Sequence, residues 1–130
     1  MKELIVVFLL ILISFGCSKE NNADEYYVKY EVESSTIYYG GKLNVSLNTE
    51  DNSTFDIIID QKINWEMTIG PVKKGFVASL SVSAPSETYD KLTIGTKISV
   101  SKNNGPFAVK LNDSSTAPRD MVESSYTIDF

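Results

Sequence analysis

From Tyr27 onward, apolar and polar residues alternate with a period of two through segment after segment of the chain. Residues 27–33 (YVKYEVE) set Val28, Tyr30 and Val32 on one face and Lys29, Glu31 and Glu33 on the other, as a half-buried strand requires. Residues 42–49 repeat the pattern, with Leu43, Val45 and Leu47 inward and Asn44, Ser46 and Asn48 outward. Gly40-Gly41 between them predicts a turn in which glycine supplies positive φ. Glu50-Asp51-Asn52-Ser53 predicts a second turn, leading into residues 54–60 (TFDIIID), rich in β-branched side chains. Residues 63–69 then carry Ile63, Trp65, Met67 and Ile69 at strand spacing, and Gly70-Pro71 is expected to break that strand.

Lys73-Lys74-Gly75 falls in a connection, after which Phe76, Ala78, Leu80, Val82 and Ala84 form the longest regular stripe, closed by Ala84-Pro85-Ser86-Glu87. Residues 93–101 and 107–111 flank Lys102-Asn103-Asn104-Gly105-Pro106, the clearest hairpin signal, with Asn-Gly expected to supply the positive φ. Residues 112–120 read as a polar loop, and residues 124–130 as a last strand carrying Tyr126, Ile128 and Phe130. About eight short strands at regular turn spacing, without a helical period, predict an all-β, immunoglobulin-like antiparallel β-sandwich of about seven to eight strands. Trp65, the single tryptophan, is expected to anchor the core rather than to present a binding platform.

The N-terminal region obeys a different pattern. Residues 4–13 (LIVVFLLILI) are uninterruptedly apolar. As a helix at about 1.5 Å per residue they cover roughly half of the ~30 Å hydrocarbon core, too little for a permanent span. A cleavable signal segment fits better, and Cys17, the only cysteine, stands just after it behind the small residue Gly16. Ser14-Phe15-Gly16-Cys17 resembles the bacterial lipobox, and this resemblance implies diacylation of the Cys17 sulfur. Ser18-Lys19-Glu20, directly after it, resembles the short charged signal that sends lipoproteins of Bacteroidota to the outer face of the outer membrane. The expected organisation is a lipoprotein signal peptide over 1–16, a lipidated cysteine and polar tether over 17–25, and a sandwich over 26–130. The membrane is then the first partner, through Cys17, with the protein at the outer membrane, the cell surface as the expected location and the periplasmic face as the alternative.

Composition narrows the chemistry. The net charge is -5 with no basic cluster, which argues against nucleic acid as a partner. Histidine is absent, which removes the commonest general base and metal ligand and, with a single cysteine, excludes Ser-His-Asp and Cys-His nucleophile systems and His/Cys metal sites. No phosphate-cradling glycine motif is present. Asp51-Asn52 and Asn112-Asp113 offer oxygen ligands, but Asx residues at turns usually bind their own backbone, so no metal or other cofactor is expected. Glu31, Glu33, Asp56 and Asp60 are paired carboxylates at strand spacing, expected on solvated outer faces. Tyr26, Tyr27, Tyr38, Tyr39 and Tyr89 have the ring face and hydroxyl that suit a sugar, although tyrosine's fit to pleated surfaces accounts for most of them. Tyr38, Tyr39 and Tyr89 remain the candidate ligand contacts.

Tyr30-Glu31-Val32, Asn64-Trp65, Ala78 and Ile98-Ser99-Val100 before the Asn-Gly hairpin together resemble the immunoglobulin-like domain of the MmpS family. They resemble still more closely small lipoproteins of Bacteroidota that share this plan. MmpS proteins are accessory partners of RND-type exporters, which the resemblance carries here as one expected role. Ile98 and Val100 stand where that family has a cysteine-bearing strand, so no functional residue is carried over. The expectation is a non-enzymatic, lipid-anchored cell-envelope module that binds an envelope protein or a glycan. A carbohydrate-binding surface lipoprotein of a glycan-uptake system and an exporter accessory are the other two readings.

Overall fold

Strands with one apolar face must hide it, and two sheets stacked face to face are the simplest arrangement that hides all of them. The computed structural model describes residues 23–35, 41–85 and 92–130; residues 1–22, with Cys17, lie outside these. Eight strands are present among the described residues: β1 Tyr26–Ser35, β2 Lys42–Asn48, β3 Thr54–Asp60, β4 Trp65–Val72, β5 Val77–Ser83, β6 Thr93–Lys102, β7 Ala108–Asp113 and β8 Met121–Thr127. They form two packed four-stranded antiparallel sheets, ordered β4-β1-β6-β7 and β3-β2-β5-β8. The described residues thus form an all-β sandwich.

The pairing has an internal regularity. β1 lies between β4 and β6, and β5 between β8 and β2; β6 leads into the β7 hairpin as β2 leads into β3. Advancing four strands along the chain therefore reproduces the same pairings with the two sheets exchanged. Only β2–β3 and β6–β7 connect within a sheet, and every other connection changes sheets. This binds the two layers together by chain as well as by packing.

The core lies between the central pairs. Val28, Tyr30 and Val32 of β1 and Ile94, Ile98 and Val100 of β6 face Leu43, Val45 and Leu47 of β2 and Ala78, Leu80 and Val82 of β5, all buried. These are the inward residues that the alternation predicts for β1, β2 and β5. Two polar links cross the core: Thr96 Oγ1 and Ser124 Oγ sit 2.6 Å apart, and the fully buried Tyr30 donates its hydroxyl to Asn48 O at 3.0 Å. Both satisfy groups that burial would otherwise penalise.

Several expectations are corrected. Gly70-Pro71 does not break β4, which runs through it to Val72. β4 is an edge strand and takes one extra residue there, pairing Ile69 with Val28 and then Val72 with Tyr26. An edge bulge is where a residue without an N–H fits. Gly70 has φ 134° and stands where a Cβ would come 2.8 Å from Tyr26 O, so glycine is required at that point. Ile63 precedes β4 and is exposed, while Trp65 packs on the core from the edge strand and stays half-buried instead of anchoring the centre. In the β6–β7 turn the positive φ angles belong to Asn103 (49°) and Asn104 (59°), not to Asn104 and Gly105, and Gly105 N–H closes the turn on Lys102 O at 2.9 Å. β7 runs on to Asp113, and β8 starts at Met121 rather than at residue 124; Phe130 lies beyond β8 and is partly exposed.

Of the expected Gly40-Gly41 turn, Gly40 lies outside the described residues, and Gly41 does not take a positive φ. Glycine is needed there for space: an added Cβ would overlap the amide of Gln61, which is itself 1 % exposed. Gln61 joins three segments. Its N–H donates to Gly41 O at 3.1 Å, its Nε2 donates to Lys42 O at 3.1 Å, and its carbonyl accepts the Ser34 hydroxyl from the opposite sheet. Gly41→Ala should therefore lower unfolding free energy by about 1–3 kcal/mol, through overpacking and loss of these bonds. In a Gln61→Ala background the same substitution should cost much less, a coupling that a urea-denaturation double-mutant cycle measures directly.

Candidate interaction surfaces

Cys17, Tyr38, Tyr39 and Tyr89 lie outside the described residues, so the surfaces are built from the remaining chain. Tyr26 is withdrawn from any ligand: it is buried, its hydroxyl donates to Phe130 O, and its ring meets Phe130 edge-on at 5.6 Å. Tyr27, on the outer row of β1, is half-buried. Burial pushes the Tyr30 phenol well above its ordinary range, so it stays a neutral donor.

The carboxylates occupy the two outer faces. Glu31 and Glu33 belong to the outer row of β1, Asp56 and Asp60 to that of β3, on opposite sides of the molecule. They do not oppose one another across a cleft, the geometry that carboxylate-pair glycoside hydrolysis needs. Glu31 lies 3.5 Å from both Lys29 and Lys97; Lys29 also reaches Glu66 at 3.8 Å and Lys97 reaches Glu33 at 3.8 Å. Glu31 and Glu66 are direct cross-strand neighbours, a repulsive pairing that Lys29 between them offsets. This is a mixed-sign face, each charge having an opposite one nearby.

One end of the sandwich gathers the start of β1 and the β2–β3, β4–β5 and β6–β7 connections. The leading residues are fastened there: Lys102 Nζ sits 2.7 Å from Asp24, Asn103 Nδ2 donates to Asp24 at 2.9 Å, and Asn103 and Glu25 exchange bonds of 2.8 and 2.9 Å. The Lys102 and Asn103 bonds hold the Asp24 carboxyl below its ordinary value. Between them and the β4 bulge lies an open hollow of about 740 Å³, lined by Asp24, Pro71, Val72, Lys73, Asn103 and Asn104. A second hollow of about 390 Å³ adjoins it across Pro71-Val72-Lys73 and reaches Glu50, Asn52 and Lys74. Both are shallow, with charges of either sign at the rim, and suit contact with a surface better than enclosure of a small molecule.

Asp51 forms the turn at this end. Its Oδ1 accepts Thr49 Oγ1 at 2.6 Å, Ser53 N–H at 3.0 Å and Ser53 Oγ at 2.7 Å, while Asn52 takes φ 62°. The carboxylate is thus occupied as a turn acceptor. Asp113, the other Asx candidate, accepts Arg119 Nη1 at 2.9 Å. Among the described residues no three His, Cys, Asp or Glu side chains come together as a metal site.

Arg119 and Gln61 are the organising polar residues that the alternation pattern does not reveal. Arg119 Nε donates to Ile94 O at 2.9 Å, its Nη2 to Asp113 O at 3.2 Å, and its N–H to Leu92 O at 3.0 Å. It ties the polar loop before β8 to β6 and β7. One signal was legible: Arg119 is the chain's only arginine, the residue type whose fixed fork suits several acceptors at once.

No family model matches this chain, and no curated protein sequence matches it either.

The Thr49 and Ser53 bonds lower the Asp51 carboxyl from 3.8 to about 2. A depressed folded-state pKa contributes stability that is complete above the unfolded value and lost as pH falls through the folded one. The difference in urea midpoint between wild type and Asp51→Asn should therefore be constant from pH 7 to about 5. It should shrink between about pH 4 and 2, with most of it gone at the lower limit.

Proposed function

We propose that this protein is a non-enzymatic contact module of the cell envelope, held to the membrane by lipid on Cys17. The observation that carries this reading is the position of the only cysteine, separated from the apolar run of residues 4–13 only by Ser14-Phe15-Gly16 and followed by a polar stretch that ends where β1 begins. Two or three acyl chains, at about 0.8 kcal/mol per buried methylene, make such attachment effectively permanent. Two antiparallel sheets with connections clustered at both ends support an immunoglobulin-like reading of the sandwich, with a strand order that departs from the immunoglobulin one in that β1 pairs with β4 and β6 and not with β2. Kinship with MmpS-like lipoproteins of Bacteroidota belongs to the same proposal, as does the outer face of the outer membrane, which rests on Ser18-Lys19-Glu20.

The fastening of Asp24 and Glu25 beside the β6–β7 turn gives the anchored domain an orientation. The end with the two hollows faces the lipid, and the opposite end projects away from it. Ser35, Gly41, Pro85 and Leu92, the described residues that flank the sequences holding Tyr38, Tyr39 and Tyr89, lie at that opposite end. These tyrosines are therefore the first residues to substitute in any binding assay.

Metabolic labelling with an alkyne fatty acid tests the anchor. Wild type should incorporate label and partition with membranes, and Cys17→Ala should lose essentially all of both. Label retained on Cys17→Ala would end the lipid proposal, and substrate turnover abolished by a carboxylate substitution would end the non-enzymatic one.

A further inference from the structure

Among the described strands four are edges, and β4 and β7 are blunted by irregularity. β4 carries Pro71 and its bulge. β7 carries a bulge at Lys110, where Ile98 pairs with Leu111 and Ser99 with Val109. β8 is regular, but its margin closes against β7 and β6 of the facing sheet, where the Thr96–Ser124 hydroxyl pair joins the two layers. Such devices are how sheets avoid joining edge to edge. β3 has none of them. It pairs with β2 residue for residue from Thr54 to Asp60 without irregularity, contains neither proline nor lysine, and among the described residues pairs with no strand on its other side.

Its free backbone groups can be assigned. Thr49 N–H donates to Ser53 O and Gln61 N–H to Gly41 O, so along this antiparallel ladder the odd-numbered residues of β3 turn their amides toward β2. Thr54, Asp56, Ile58 and Asp60 then turn theirs to the open edge. The same side of the molecule carries several apolar side chains beside Asp56 and Glu66. Phe55 is 37 % and Ile58 67 % exposed, Ile57 is half-buried, and across the gap between the sheets β4 presents half-buried Trp65 and Met67.

The geometry points to a second copy of this chain as the occupant: β3 pairs antiparallel with β3 of the other copy about a two-fold axis through Ile57, joining two four-stranded sheets into one. Faces must match, so odd residues oppose odd and even oppose even. Three symmetric registers then lie near the strand centre. Centring on Asp56 sets that carboxylate against its own copy, and centring on Ile58 sets Asp56 against Asp60. Centring on Ile57 sets Asp56 against Ile58, Thr54 against Asp60, Phe55 against Ile59 and Ile57 against itself, with no like charges opposed. In this register the outward amides of Asp56 and Ile58 meet as a hydrogen-bonded pair. The two-fold also brings Trp65 and Met67 toward the same residues of the other copy, closing the seam on both sheets. A single foreign peptide would cover β3 and leave β4 open. A two-fold contact consumes both free edges, and it requires nothing of Cys17.

The test uses full-length protein in its native membranes, with wild type, which retains Cys17, as baseline. At the axis, Ile57 and its copy form a non-hydrogen-bonded pair with Cα atoms about 4.5 Å apart, within disulfide range. Ile58 and its copy are offset by two residues, at about 8 Å, beyond it. Mild oxidation should convert Ile57→Cys to a disulfide-linked homodimer at least tenfold above baseline and leave Ile58→Cys at baseline. Adding Ile58→Pro, which removes an outward N–H that β2 does not use, should abolish the Ile57→Cys dimer. Equal linkage through Ile58→Cys or through Ser125→Cys on β8, or linkage of Ile57→Cys to a different protein, overturns the proposal. Should Ile57→Cys fail to fold, sedimentation of wild type in detergent decides: a dimer is expected, and a monomer throughout the micromolar range overturns it.

Discussion

Burial of the central strand pairs against each other is the interaction on which the rest of this domain depends. β1 and β6 supply one apolar layer and β2 and β5 the other, and neither pair can leave water without its counterpart. The chain has one cysteine, so no internal disulfide assists, and the sheets are four strands wide. At about 25 cal/mol per Å² of buried apolar surface, fully covered residues such as Tyr30, Leu43, Leu80 and Ile98 are where stability is concentrated. The exchange of sheets at most connections makes this burial cooperative, because detaching one layer pulls on nearly every link to the other.

What lies outside the central pairs follows from how far the core reaches. The flanking strands are only partly covered by the opposite sheet, and their side chains show it. Trp65 and Met67 on β4, Ile57 on β3 and Leu111 on β7 are all half-buried. Polar residues carry the ends, where apolar packing runs out. Gln61 joins β1, β2 and the end of β3 through its backbone and amide, Arg119 holds the loop before β8, and Asp51 closes the β2–β3 turn. Each serves several acceptors or donors at once, which is economical where few groups are within reach.

This distribution shapes the functional reading. A rigid, two-layer core with mixed-sign outer faces and shallow hollows offers surfaces, edges and loop ends, the parts through which sandwiches usually make contacts. Fastening Asp24 and Glu25 to the β6–β7 turn means that any tether preceding them is coupled to the domain's orientation. The unblunted edge of β3 sits to the side, clear of the end where the chain enters. Contacts made at that end and contacts made along β3 would therefore use different surfaces.

The sequence by itself determined the strands, their inward faces and the two-sheet class, because a period of two is a local property of consecutive residues and each apolar row has to be covered. Val28, Tyr30, Val32, Leu43, Val45, Leu47, Ala78, Leu80 and Val82 are all found where alternation places them. That Cys17 follows an apolar run is likewise a statement about nearby residues in the sequence. Only the tertiary structure decided which strands are edges, and that is a matter of who pairs with whom across long sequence separations. Hence Gly70-Pro71 continues β4 as an edge bulge, Trp65 sits at a margin instead of the centre, and Gly41 exists to make room for Gln61 twenty residues on. Arg119 gains its partners the same way, from carbonyls that only the fold brings beside it.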